Sequence, residues 1–140
     1  MFEFLVPLHP KIVHFPIALF ITALIFESLG AALKKKELHQ AALIVYVAAA
    51  LLTPFVVWSG YEEAERLNLH HPILEKHEFL GFATMWVSLV SLPVLWFVHK
   101  KCLKIYRGLF LLLLIGMASL VILTGHFGGR MVYEYGIGIE

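Results

Sequence analysis

Four long apolar stretches alternate with short charged connections along the chain. They cover about residues 10–33, 40–61, 77–99 and 105–128. At 1.5 Å per residue, a helix of this length crosses a hydrocarbon core of roughly 30 Å. Short connections make consecutive helices antiparallel neighbours. The pattern therefore predicts an all-α, integral membrane, up-down four-helix bundle.

Composition agrees with a membrane protein. The 140 residues are 60% hydrophobic and only 15% charged, far more apolar than a soluble domain of this size. The four spans use nearly the whole length, so we predict one domain over residues 1–140, with 129–140 as an interfacial tail. The first apolar run is too long for a cleavable signal peptide, and we expect it to remain as the first span. The net charge is +1 without a dense basic patch, so we expect no nucleic-acid partner.

The basic residues predict which way the bundle faces. Seven of the eleven lie in the first and third connections: Lys34, Lys35, Lys36, Lys100, Lys101, Lys104 and Arg107. By the positive-inside rule these connections are cytoplasmic. Both termini and the 62–78 connection then lie outside, and we expect a multi-pass protein of a bacterial inner membrane with periplasmic termini. The single cysteine, Cys102, falls on the cytoplasmic side, where a reduced thiol is expected.

Histidines are concentrated on the predicted outer side. Six of the eight lie there: His9, His14, His70, His71, His77 and His126. His14 lies within the start of the first span, His77 opens the third, and His126 closes the fourth. A polar group at such a depth is costly unless it is partnered or wet. We therefore predict that these three imidazoles lie together at the outer face.

Imidazoles from separate helices are suitable axial ligands for haem iron, and two of them favour electron transfer over oxygen binding. Small residues at the same level would let the porphyrin pass between helices: Gly60, Gly81, Ala83, Gly125, Gly128 and Gly129. We predict a b-type haem, one or two in number, with two of His14, His77 and His126 as iron ligands. The third histidine would hydrogen-bond a propionate or a quinol, or would pair with His9 or His70 at a second site. Lys11 and Arg130, with Arg66 and Lys76, are the cations available to the haem propionates.

Two other interpretations stay open. Histidine with Glu62, Glu65 or Glu78 would suit a transition-metal ion, although HExxH and CxxC motifs are absent. The histidines can also be interfacial residues or hydrogen-bond donors between helices, and the protein would then be a cofactor-free anchor or assembly subunit. Glu27, within the first span, is interpreted as reaching the interface or bonding to a neighbouring helix, in preference to a proton-relay or quinone-site role.

Three segments carry a resemblance to a known family. They are HPKIVHFPIAL at 9–19, GYE at 60–62, and GHFGG at 125–129 followed by VYEYGIGI at 132–139. Together they resemble the DUF2231 family of predicted bacterial membrane proteins over nearly the whole chain. In that family the third helix tends to begin with a histidine, which His77 matches. The resemblance implies a four-helix inner-membrane protein, in some cases encoded with or fused to cytochrome-like partners.

From these observations we expect a membrane electron-transfer subunit without enzymatic activity of its own. Its haem would exchange electrons between the membrane quinone pool and a periplasmic c-type cytochrome or oxidoreductase subunit. We expect membrane lipid and a quinone as further partners, and function within a larger complex or a homo-oligomer.

Overall fold

The computed structural model describes residues 8–101 and 103–137, and within them the chain is helical, without a strand. The helices are α1 (His9–Ile12), α2 (His14–Leu33), α3 (Lys36–Arg66), α4 (Pro72–Lys101) and α5 (Leu103–Tyr135). Helices α1 and α2 form one span, so the described part of the chain has four helices long and apolar enough to cross a membrane. The predicted all-α four-helix architecture is confirmed.

The helices form a ring in which each long helix contacts two others. Helix α2 packs against α3 and α5, while α4 packs against α3 and α5. The two ends of the bundle differ in their residues. The basic end consists of the α2–α3 turn, the last turn of α4 and the first turn of α5. The other, formed by α1, the end of α3, the start of α4 and the end of α5, is the histidine end.

Two prolines shape the first half of the bundle. Pro16 lacks the N–H that would bond to the carbonyl of Ile12, and its ring crowds that carbonyl, so the chain breaks between α1 and α2 at Val13. Pro54 lies inside α3 and leaves the Ala50 carbonyl without its helical partner. The hydroxyl of Thr53 donates to that carbonyl at 2.7 Å, which keeps α3 continuous in an apolar environment.

The last helix is longer than the sequence predicted. A helix ending near 128 with a separate tail from 129 was expected, but α5 continues through both glycines to Tyr135. A continuous helix provides hydrogen-bond partners for its own backbone N–H and C=O groups. In an apolar environment the free energy gained by these hydrogen bonds outweighs the low helix propensity of glycine. The helix ends at Gly136, which has a φ of 62°. The expected tail is therefore wrong for residues 129–135, and residues 138–140 lie outside the described residues.

The packed core extends from the basic end to the middle of the bundle. Its largest fully buried side chains include Phe20, Tyr46, Phe110, Leu114 and Met117. Large apolar side chains elsewhere point outward, where lipid would cover them, such as Ile44 at 70% exposure and Leu112 at 66%. The histidine end contains a cavity instead of a comparable core.

Candidate functional site

A cavity of about 470 Å³ lies at the histidine end and is bordered by every helix. Most of its lining is apolar, and three imidazoles border it: those of His9, His14 and His77. Ligand and cofactor sites are typically concave, mainly apolar, and carry a few polar groups that orient the ligand. This cavity has the form of such a site.

His9 is fixed in orientation by α3. Its Nδ1 lies 3.0 Å from the Val56 carbonyl oxygen and 3.1 Å from the Ser59 hydroxyl. The Ser59 hydroxyl itself donates to the Val56 carbonyl at 2.7 Å. A carbonyl oxygen can only accept, so Nδ1 of His9 carries the proton. In the neutral ring, Nε2 then keeps its lone pair.

His77, on α4, is held in the same manner by α5. Its Nδ1 lies 3.0 Å from the Thr124 carbonyl oxygen on α5, so this ring also donates through Nδ1. The described residues give Nε2 of neither His77 nor His9 a hydrogen bond. A histidine that binds a metal through one ring nitrogen usually donates a hydrogen bond from its other ring N–H to a carbonyl or carboxylate. This hydrogen bond fixes the tautomer. Both imidazoles are therefore prepared to act as donors to a metal through Nε2.

The rings of His9 and His77 are close neighbours in a T-shaped arrangement. Their centroids are 6.2 Å apart and their planes are nearly perpendicular, at 86°. A metal–imidazole bond is about 2 Å long, so two imidazoles on opposite sides of one metal ion have ring centres roughly 6 Å apart. The separation of His9 and His77 is compatible with a shared metal centre.

Two glycines make room for these rings. A Cβ atom on Gly60 would lie 2.8 Å from Cε1 of His9, and one on Gly128 would lie 3.1 Å from Cε1 of His77. Any side chain at Gly60 would displace the imidazole. The sequence suggested that a porphyrin passes at these glycines, whereas the structure shows that both directly accommodate histidine. Both glycines border the cavity, as do Gly81, Gly125 and Gly129.

His126 is not part of this arrangement. Its side chain is exposed and does not line the cavity, and its ring contacts that of the adjacent Phe127. Helix α5 lines the cavity with Val121, Thr124, Gly125, Gly128, Gly129, Met131, Val132 and Tyr133. His126 follows Gly125 by about 100° around the helix and points away from the cavity. Of the predicted group His14, His77 and His126, the structure therefore brings His14 and His77 to the cavity, together with His9, and does not bring His126 there.

The remaining predicted site residues divide between cavity and surface. His14 lines the cavity, although its side chain is largely exposed, whereas His70 is exposed away from it. Lys11 and Arg130 do not line the cavity, and Nε of Arg130 donates to Glu134 at 2.8 Å. The predicted cations are thus not gathered around the imidazole pair.

Carboxylates also reach the cavity. Glu63 and Glu78 line it, while Glu62 and Glu65 do not. The hydroxyl of Tyr61 donates to Glu65 at 2.6 Å on the exposed side of α3. The sequence pointed to Glu78 as a potential ligand and did not single out Glu63.

The fold and the site together define a class, a multi-pass helical membrane protein with an imidazole pair in an apolar cavity at one end of the bundle. The chain belongs to the family described as "Predicted membrane protein (DUF2231)", whose family model matches residues 5–140. Comparison with curated proteins and with solved structures gives no match.

Proposed function

We propose that His9 and His77 are the axial ligands of one b-type haem and that the protein is a membrane electron-transfer subunit. The observation that carries this proposal is the imidazole pair itself. Its rings come from separate helices, are anchored through Nδ1 to the Val56 and Thr124 carbonyls, and keep Nε2 available. The sequence left open which two of His14, His77 and His126 are ligands. This proposal keeps His77 and takes His9, predicted for a second site, in place of His14 and His126.

The residues present fit such a group in three respects. The donor set is two neutral imidazoles, the pair that suits haem iron in electron-transfer proteins. The cavity lining is mostly apolar, as a porphyrin requires, and Gly81, Gly125 and Gly129 reduce the bulk of its walls. The carbonyl groups bonded to Nδ1 increase the basicity of each ring and fix its orientation. When bound, haem supplies one-electron exchange, and the surrounding protein tunes its potential.

The proposed partners follow from the position of the cavity. It lies between apolar helices whose outer faces would contact lipid, so a membrane quinone can approach from the side. The end of α5 presents Tyr133, 90% exposed, beside the cavity. An exposed aromatic residue there offers a contact for a c-type cytochrome or an oxidoreductase subunit. Function within a larger complex or a homo-oligomer is part of the same proposal.

The proposal is tested by the absorption spectrum of the protein purified in detergent. We expect a Soret band, with sharp α and β bands after reduction, at about one haem per chain. His9→Ala and His77→Ala should each abolish these bands, since removing either ligand breaks the axial pair. His126→Ala is the matched control, an exposed histidine at the same end, and should keep full haem content. Normal haem content in both ligand variants, with helicity unchanged, would refute the assignment.

A transition-metal site is the second candidate. Glu63 and Glu78 line the same cavity as three imidazoles, and zinc, iron and copper accept both donor types. No three of these side chains are grouped as a ready metal site within the described residues, so an ion would have to draw them together. A colourless preparation with stoichiometric metal that is lost in His77→Ala would support this function. A colourless and metal-free preparation would instead favour a cofactor-free anchor.

A further inference from the structure

A second concave site lies at the basic end, across the bundle from the histidines. It is a cleft of about 200 Å³ bordered by α2, α3 and α5. Its lining is formed by Glu27, Gly30, Ala31, His39, Arg107, Gly108 and Leu111. The volume is below the roughly 300 Å³ at which pockets for drug-sized ligands begin, so the cleft suits a single polar head group.

The cleft contains a hydrogen-bond donor that the protein leaves unused. Nε of Arg107 is buried and has no hydrogen-bond partner among the described residues. Buried polar groups are nearly always satisfied, so an unpartnered Nε on a residue that lines the cleft indicates a missing acceptor. The hydroxyl of Tyr106 is also buried and unpartnered within the described part of the chain, but Tyr106 does not line the cleft.

The carboxylate in the cleft already has a partner. Glu27 is only 3% exposed, and it accepts a hydrogen bond from Nδ1 of His39 at 2.5 Å. This contact joins α2 to the start of α3, as the sequence predicted for a bond to a neighbouring helix. The ring of Tyr106 packs edge-on against His39, with centroids 5.4 Å apart. Glu27 is therefore engaged by His39, and the acceptor for Arg107 must come from outside these residues.

Lysines lie at the same end of the bundle as the cleft, although none of them lines it. The α2–α3 turn carries Lys34, Lys35 and Lys36, and α4 ends with Lys100 and Lys101. The ammonium groups of Lys100 and Lys101 lie over the rings of Trp96 and Phe97, at 3.9 and 4.5 Å from their centroids. Lysine and aromatic residues at the end of a span are typical of the level of the lipid head groups. An anion at this level would meet attractive charge from three helices.

We propose that this cleft binds the phosphate of an anionic phospholipid through Arg107. Arginine is the side chain that best matches phosphate oxygens, and basic pockets between helices select anionic head groups. The acyl chains would lie against exposed apolar residues beside the cleft, among them Leu29, Leu33 and Leu109. These residues favour a lipid over free phosphate as the source of the anion. The inference does not depend on haem binding.

The test compares three probes in delipidated protein in detergent, with bound ligand counted by native mass spectrometry. They are short-chain phosphatidylglycerol, the matching diacylglycerol and glycerol 3-phosphate. We expect phosphatidylglycerol to bind about tenfold more tightly than either of the others, because it alone offers both phosphate and acyl chains. Equal binding of glycerol 3-phosphate would indicate a soluble-phosphate site, and equal binding of diacylglycerol would indicate an apolar groove. Either result would overturn the proposal.

Two variants and a control test whether Arg107 makes the proposed contact. Arg107→Gln should weaken phosphatidylglycerol binding about tenfold, whereas Arg66→Gln, an exposed arginine at the histidine end, should leave it unchanged. Glu27→Gln should leave binding intact or tighten it, because a negative charge is removed. Loss of binding in Glu27→Gln would contradict an anion site and favour a quinone or a cation.

Arg107→Lys keeps the positive charge and provides the same test if Arg107→Gln does not fold. It lacks the Nε donor, so binding should still weaken measurably while helicity stays at the wild-type level. Unchanged affinity in the folded lysine variant would exclude the proposed contact.

Discussion

At the scale of single residues, the imidazole pair depends on groups that carry no charge. Backbone carbonyls of Val56 and Thr124 set the tautomer of each ring, and two glycines provide the space. The histidines would not adopt these positions if either glycine carried a large side chain. The glycines are therefore as important to the geometry as the two histidines themselves.

Alanine substitutions at three glycines should give a graded response in haem content. Gly60→Ala places a Cβ 2.8 Å from His9 and should cause the largest loss, because the ring must leave the Val56 carbonyl. Gly128→Ala, at 3.1 Å from His77, should have a smaller effect. Gly116 has no atom within 4 Å of its added Cβ, so Gly116→Ala should retain haem and stabilise α5 by up to about 1 kcal/mol. Haem absorbance and thermal unfolding measure these effects.

An equal response at all three positions would contradict a steric role for the two glycines beside the rings. If the protein binds no haem, the same series can be followed through the pH titration of the His9 and His77 rings by NMR. In that case Gly60→Ala should alter the His9 titration and Gly116→Ala should not.

The sequence predicted some of these residues for clear physical reasons. His77 was identified because it opens an apolar span, where a polar side chain is costly without a partner. His9 was given a minor role because its main partner, Val56, is 47 residues away and no local pattern reports such a contact. His126 was misplaced because apolar length does not predict the rotation of α5 about its axis, and this rotation points its side chain away from the cavity. The glycines at 128 and 129 also led to a predicted helix end that the structure does not have.

At the scale of helices, the spans were predictable because apolar length is a direct requirement of the membrane. The positions of the prolines did not predict where a helix breaks, since a membrane helix tolerates proline when a neighbouring group donates a hydrogen bond to the freed carbonyl. Thr53 performs this role for Ala50 beside Pro54. The break at Val13 shows the other outcome, in which Pro16 separates a short first helix from the rest of the span.

The interaction of Thr53 with the proline site can be measured by a double-mutant cycle. Thr53→Val should destabilise the protein by about 1 kcal/mol, since the Ala50 carbonyl loses its donor. In a Pro54→Ala background the backbone N–H of residue 54 is restored, so the same change should cost much less. Thermal unfolding in detergent of the four proteins gives the coupling energy. Equal costs in the two backgrounds would show that the weaker contact to Ser88, at 3.3 Å, is the important one.

At the scale of the whole molecule, the distribution of charge predicts the orientation that the bundle takes in the membrane. Lysines gather at one end and histidines with glutamates at the other. Apolar length could predict four helices and their antiparallel order, but not the rotation of each helix about its own axis. That rotation decides which side chains reach the cavity, because lipid and protein interior are both apolar and hydrophobicity does not distinguish them.

Orientation can be tested with cysteine labelling in spheroplasts. The native Cys102 should be protected from a membrane-impermeant maleimide until the cells are opened, because the positive-inside rule assigns its connection to the cytoplasm. A Cys102→Ser, Asn68→Cys variant should be labelled at once, since Asn68 is an exposed residue of the connection between α3 and α4. The reverse pattern would put the imidazole pair on the cytoplasmic side and exclude a periplasmic electron partner.

The packed core reaches from the basic end to the middle of the bundle, and the cavity lies at the other end. Contacts among Tyr46, Tyr106 and Phe110 hold α3 against α5 in the half nearer the lysines. A group bound in the cavity, such as the proposed haem, would not have to disturb these contacts. We therefore expect the chain to insert and fold without a bound group and to take one up afterwards.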